Sequence, residues 1–138
     1  MPKYFAEEFY SLINRFFGFL IDDYQFVLKK KNERHYDFET ATTRVSVFLE
    51  HHILVVGIEP IGEEARNLLR NNILPQQIGV SVVAQALNPN LDYEVIWNEP
   101  VLSAMERESK IVKNYCQDFL KGDFTKWTDV LTSLRRRK

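Results

Sequence analysis

The stretch from Thr42 to Pro60, TTRVSVFLEHHILVVGIEP, leaves a chain of this kind few ways to fold. Arg44, Ser46 and Phe48 alternate with Val45, Val47 and Leu49, the period of two that sets one side of a strand in a core. Ile53 to Ile58 is a nearly unbroken aliphatic run, the pattern of a strand covered on both faces. Glu50, His51 and His52 lie between, too few residues for anything but a tight antiparallel connection. No Asn-Gly or Asp-Gly marks the turn, so the spacing predicts a hairpin without fixing its register. The remaining segments must cover its apolar face, and a charge placed at Val55 is expected to unfold the domain.

Around this hairpin the chain reads as α+β. Phe5, Phe9, Leu12, Ile13, Phe16 and Leu20 fall at helical spacing over residues 4–21, with Asp22-Asp23 as the expected stop. Tyr24, Phe26 and Leu28 alternate as a first strand, and the charged run from Lys29 to Asp37 predicts a loop. Glu63 to Asn71 fits a short helix or an irregular connection anchored by Leu68 and Leu69. Ile78, Val82, Val83 and Leu87 fit one helix face, although Val80–Val83 would also suit a strand. Leu91 to Trp97 alternates weakly. Val101 to Lys121 predicts a long helix stopped at Gly122, and Asp123 is placed to cap a last helix from Phe124 to Arg135. No βαβ alternation or internal repeat is present. The expectation is one domain spanning 1–138: an antiparallel sheet built on the central hairpin, packed by an N-terminal helix and C-terminal helices.

At 138 residues the chain can bury a real core without disulfides or metal. Its one cysteine, Cys116, excludes an internal disulfide, and no signal peptide precedes the first helix, so a cytoplasmic location is expected. No apolar run nears the roughly 20 residues of a membrane span. Net charge is −1 but uneven, the first hundred residues summing to −5 and the rest to +4. The closing Arg135, Arg136, Arg137 and Lys138 make a short basic tail that suits a solvated helix end better than a nucleic-acid site.

Few residues suggest chemistry. His51-His52 is the obvious metal candidate, but neighbours on a strand face opposite ways and no HxH or Cys/His cluster completes a shell; a polar turn is expected and no metal or cofactor. Cys116 has no partner histidine nearby in sequence. Asp22-Asp23 and Glu63-Glu64 sit where helix ends ordinarily carry acids. The five glycines form no phosphate loop, and the Lys29–Lys31 run is diluted by Glu33, Asp37 and Glu39, which argues against nucleic acid. One feature is less ordinary. From Asn71 to Glu106, 36 residues, there is no Lys or Arg, while Asp92, Glu94, Glu99 and Glu106 all occur, with Tyr93 and Trp97 among them. Exposed, such a segment would draw a basic partner and offer it aromatic anchors, making Asp92, Tyr93, Glu94, Trp97 and Glu99 the candidate partner-binding residues.

The layout, with its aromatic helix at Phe9 to Phe19 and its closing Lys121-Gly122-Asp123-Phe124 before Trp127, resembles small uncharacterised bacterial α+β proteins. Some proteins of that appearance serve as immunity proteins, which bind and neutralise a toxin. That resemblance implies a non-enzymatic cytosolic protein-binding domain whose partner is a basic protein, and no residue role comes with it. Two other classes stand beside it: a homo-oligomeric structural or adaptor subunit, and a small-ligand-binding or enzymatic α+β domain.

Overall fold

The computed structural model describes residues 3–91 and 99–136. Helix α1 (Lys3–Phe17) places Phe9, Ile13 and Phe17 on one stripe, each no more than 1% exposed. Gly18 separates it from α2 (Phe19–Tyr24), which runs through the Asp22-Asp23 pair expected to end the helix. The stop comes at Gln25, in the left-handed region at φ +66°, and the reversal lets the Phe26 amide reach the Leu20 carbonyl as its ring enters the core.

The charged run read as a loop is instead the first hairpin: β1 (Val27–Asn32) and β2 (His35–Glu39). The Asn32 side chain accepts the Arg34 amide at 2.8 Å and closes the turn. Each lysine finds an acid: Lys29 reaches Glu39 at 3.0 Å, Lys30 reaches Glu33 at 2.9 Å, and Lys31 lies 3.8 Å from Asp37. Charge does not disfavour a strand at a sheet edge, where it discourages pairing with other chains. The charges that suggested a loop mark an edge.

β3 (Thr43–Glu50) and β4 (Ile53–Pro60) form the expected hairpin, in register from Thr43 opposite Pro60 to Glu50 opposite Ile53. The turn is His51-His52, at φ +50° and +68°. Two left-handed residues are the geometry usually supplied by Asn-Gly, which is why the sequence carries no turn signal. β5 (Ile78–Gly79) pairs with the far end of β4, completing an antiparallel sheet in the order β1-β2-β3-β4-β5, with β3 in the middle.

β4 is not covered on both faces. Leu54, Val56 and Ile58 point inward, whereas Ile53 and Val55 are half-buried on the other side. The outer position at Gly57 is closed by Gln77, whose Cδ lies 2.7 Å from where a Cβ would stand. The inner face, carrying Tyr36, Phe38, Val45, Val47, Val56 and Ile58, packs under the helices. Ring contacts from Phe9 to Tyr36 at 5.9 Å and Phe17 to Phe38 at 6.3 Å seat α1 on β2. Full burial of each such side chain is worth about 1.5–3 kcal/mol.

Residues 62–70 are helical as α3 (Gly62–Arg70), anchored by Leu68 alone, since Leu69 is 53% exposed. α4 (Val80–Leu87) follows β5, buries Val80, Val83 and Ala84, and packs on α5 (Val101–Tyr115), which also meets α1 and β4. The predicted long helix breaks at Cys116 into α5 and a short α6 (Gln117–Leu120). Gly122 reverses the chain at φ +86°, where a Cβ would also strike Thr42 Oγ1 at 2.7 Å. Asp123 accepts the Thr125 amide instead of capping the helix at Phe124, so α7 (Trp127–Arg136) starts three residues late. Phe119 and Phe124 then stack and Trp127 meets both edge-on, ring centres 5.3–5.4 Å apart, with the cluster tied to the sheet by Thr43 Oγ1 donating to the Phe119 carbonyl at 2.8 Å. Among the described residues no helix is long and apolar enough to cross a membrane.

Candidate functional site

The inward face of α5 carries Ala104, Met105, Glu108, Ser109, Ile111 and Val112, spaced as successive contacts on one helical stripe. Four are apolar, and Ser109 donates its hydroxyl back to the Glu106 carbonyl at 3.0 Å. Glu108 is the one charge, and it is only 4% exposed. A carboxylate so placed must be compensated, because burying an isolated charge is very costly. Arg107 contributes from the next position. Its Nη1 donates to both carboxylate oxygens of Glu99, just before the helix, at 2.5 Å, and its Nε lies 4.0 Å from Glu108 Oε2. One guanidinium therefore stands between two carboxylates.

The backbone leaves space beside this group. β5 pairs with β4 only at Gly57 and Ile58 before the chain turns into α4 at Val80. A cavity of about 160 Å³ remains along Ile53–Val56 of β4, closed by His52, Ser81, Glu99, Arg107 and Glu108. Among the described residues, the acidic and basic side chains lining it are the carboxylates of Glu99 and Glu108 and the guanidinium of Arg107, with His52 at the rim.

Of the sequence-predicted site residues, Glu99 lies here, its side chain only 12% exposed and gripped by Arg107. Asp92, Tyr93, Glu94 and Trp97 lie outside the described residues. Glu108, Arg107, Ser81 and His52 did not come out of the sequence as site residues. Glu108 had a visible signal, a lone charge on the apolar stripe of a helix. Ser81 had none, since only the β4–β5–α4 geometry brings it near.

The other candidates separate cleanly. His51 and His52 form the exposed turn, and among the described residues no three His, Cys, Asp or Glu side chains converge. On the outer face of the sheet Asp37, 3% exposed, accepts the Ser46 hydroxyl at 2.7 Å and lies 2.8 Å from His35 Nε2. A carboxylate only accepts, so His35 carries its proton on Nε2 toward Asp37. Ser46 and His35 meet the same carboxylate oxygen and not each other, so this trio lacks the nucleophile–base contact of a hydrolase. Its effect is to lock β2 to β3. Cys116 is fully buried, and desolvation, with the Glu108 charge adding to it, pushes its thiol up to about 12, far from a reactive thiolate. Glu63 is held below the usual carboxylate range by hydrogen bonds and charge from Arg66, with Arg70 assisting, as part of an exposed helix network. A shallow groove of about 530 Å³ runs between α1 and the β1–β2 hairpin, walled by Tyr10, Leu28, Lys30 and Tyr36, the two tyrosine rings 5.6 Å apart.

Comparison of the chain with models of known protein families, with curated proteins and with solved structures gives no match.

Proposed function

We propose that the chain is a non-enzymatic protein-binding domain of the cytoplasm, immunity-like in role, that meets a basic protein along the acidic segment leading into α5. One observation carries this reading. Glu99, held by Arg107 beside a cavity, lies within a sequence stretch that supplies acids and no Lys or Arg from Asn71 to Glu106. A field of one sign attracts its opposite from a distance and raises the rate of encounter, more at low salt than at high. Tyr93 and Trp97 in the same stretch are residue types that dominate binding energy once an interface forms. The proposed face is thus Asp92, Tyr93, Glu94, Trp97 and Glu99. A second reading, an oligomeric subunit, draws on Tyr10, 45% exposed at the α1–β1 groove, and on Val27, 59% exposed on β1.

The test begins with a partner purified from the source cells and uses the double substitution Glu94→Lys, Glu99→Lys. We expect association to slow by about tenfold or more and its salt dependence to flatten. An unchanged rate and salt slope in a folded double variant would move the face elsewhere. Light scattering on the isolated chain separates the oligomeric reading, which requires a defined multimer.

A further inference from the structure

We propose that the groove between α1 and the first hairpin binds a small uncharged aromatic molecule carrying a carbonyl group, and that the Tyr36 hydroxyl donates to that carbonyl. This goes beyond the protein-binding reading and shares no residue with its face. The groove follows from the packing. α1 seats on β2 through the Phe9–Tyr36 and Phe17–Phe38 contacts, and the inward residues of β1, Leu28 and Lys30 opposite Phe38 and Tyr36, wall a hollow beside it. Its volume, about 530 Å³, falls within the ~300–1,000 Å³ of small-ligand sites. Tyr36 lines this hollow and is only 2% exposed, yet its hydroxyl makes no hydrogen bond with any described residue. A buried tyrosine O–H ordinarily finds a partner, and leaving one without is costly. The atom is not sealed in the core, so it meets the outside through the groove. Burial pushes the hydroxyl above its ordinary value, which keeps it protonated and a donor at neutral pH. Tyr10 supplies the stacking surface. Its ring lies 5.6 Å from that of Tyr36, tilted by 35°, and the residue is 45% exposed. A third ring entering beside them can take the offset or edge-on contacts that aromatic groups prefer, at ~4.5–7 Å between centres. Lys30 and Glu33 close on each other at 2.9 Å and Glu7 is exposed to water, so the described walls call for no counter-ion, which favours an uncharged ligand.

The experiment titrates the intact chain with benzamide, following the backbone amides of Tyr10, Leu28 and Lys30 by NMR, with cyclohexanecarboxamide as the non-aromatic analogue and benzoate as the charged one. We expect saturable shifts at those amides with benzamide, weaker binding of benzoate, and no saturable shifts with cyclohexanecarboxamide. Tyr36→Phe removes one oxygen and keeps the ring, so it should weaken benzamide binding by about threefold to tenfold, the range for losing one uncharged hydrogen bond. Tyr10→Ala, at an exposed position, should abolish saturation. The comparison of the probes on the unsubstituted chain decides the matter even if Tyr36→Phe folds poorly. Equal shifts from benzamide and cyclohexanecarboxamide, tighter binding of benzoate, shifts confined to other amides, or unchanged affinity in a folded Tyr36→Phe overturn the inference. So do shifts at the same amides that follow protein concentration alone, which would put a second copy of the chain on the groove.

Discussion

Asp37 and Glu108 are buried to nearly the same degree, 3% and 4% exposed, but their surroundings differ. Asp37 sits within the sheet, opposite Ser46 in register, with the Ser46 hydroxyl at 2.7 Å, His35 Nε2 at 2.8 Å and Lys31 Nζ at 3.8 Å. Those groups come from β1, β2 and β3, so the strand register that forms the sheet also assembles them around the carboxylate. Glu108 sits on a helix at the margin of the sheet, faces a cavity, and has the Arg107 guanidinium, which also serves Glu99, at 4.0 Å. A buried charge ringed by donors from its own sheet holds the fold together.

The comparison is broken most severely by a third carboxylate given neither donors nor a hollow. Val47→Asp, at a fully buried position on the inner face, should cost more than about 4 kcal/mol and leave the chain unfolded. Val55→Asp, half-buried at the cavity wall, should cost only about 1–2 kcal/mol. This corrects the expectation that a charge at Val55 unfolds the domain. Circular dichroism of the two variants is enough, and equal collapse of both would show that the two faces of the β3–β4 hairpin do not differ as described.

A smaller loss is expected at Asp37. Asp37→Ala leaves the Ser46 and His35 donors without their acceptor, which should lower stability by about 2–3 kcal/mol in urea denaturation. A loss below about 0.5 kcal/mol would mean that the trio does not lock the sheet.

The smallest effect lies one row away, where Glu39 faces Arg44 and Arg44 faces Glu59 across β2, β3 and β4. Burial acts to raise the Glu39 carboxyl, but hydrogen bonds and charge from Arg44 and Lys29 overcome it and hold the group below its ordinary value. A carboxyl lowered by folding binds its proton less tightly in the folded chain than in the unfolded one. Its contribution is therefore present above the ordinary carboxylate range, near pH 4.5, and is lost as pH falls through the lowered value. Urea midpoints between neutral and acid pH should show a decline in stability that shrinks in Arg44→Met. An identical pH profile in that variant would assign the decline to other carboxyls.

Much of the fold was legible because hydrophobic period reports which face is covered. Val45 and Val47 alternate with polar residues and lie inward, and the Phe9–Ile13–Phe17 stripe lies on the sheet. The first hairpin was not legible, because Lys29, Lys30 and Lys31 are paired across space and only the paired sheet shows their acids. The unbroken run Ile53–Ile58 misled in the opposite direction. Its outward residues Ile53 and Val55 are only half-buried, so the apolar run there does not report a second core. The site was half legible. The acidic gap pointed to Glu99, whereas Ser81 and Glu108 join it only through the turn from β5 into α4 and the rotation of α5.

The contrast between the two buried carboxylates is tested most directly by the thermal unfolding of Glu108→Gln. An uncharged amide costs less to bury than a carboxylate, so the account predicts a melting temperature equal to or above that of the unsubstituted chain. A variant that melts more than about 5 °C lower would make Glu108 a stabilising residue like Asp37 and contradict the account.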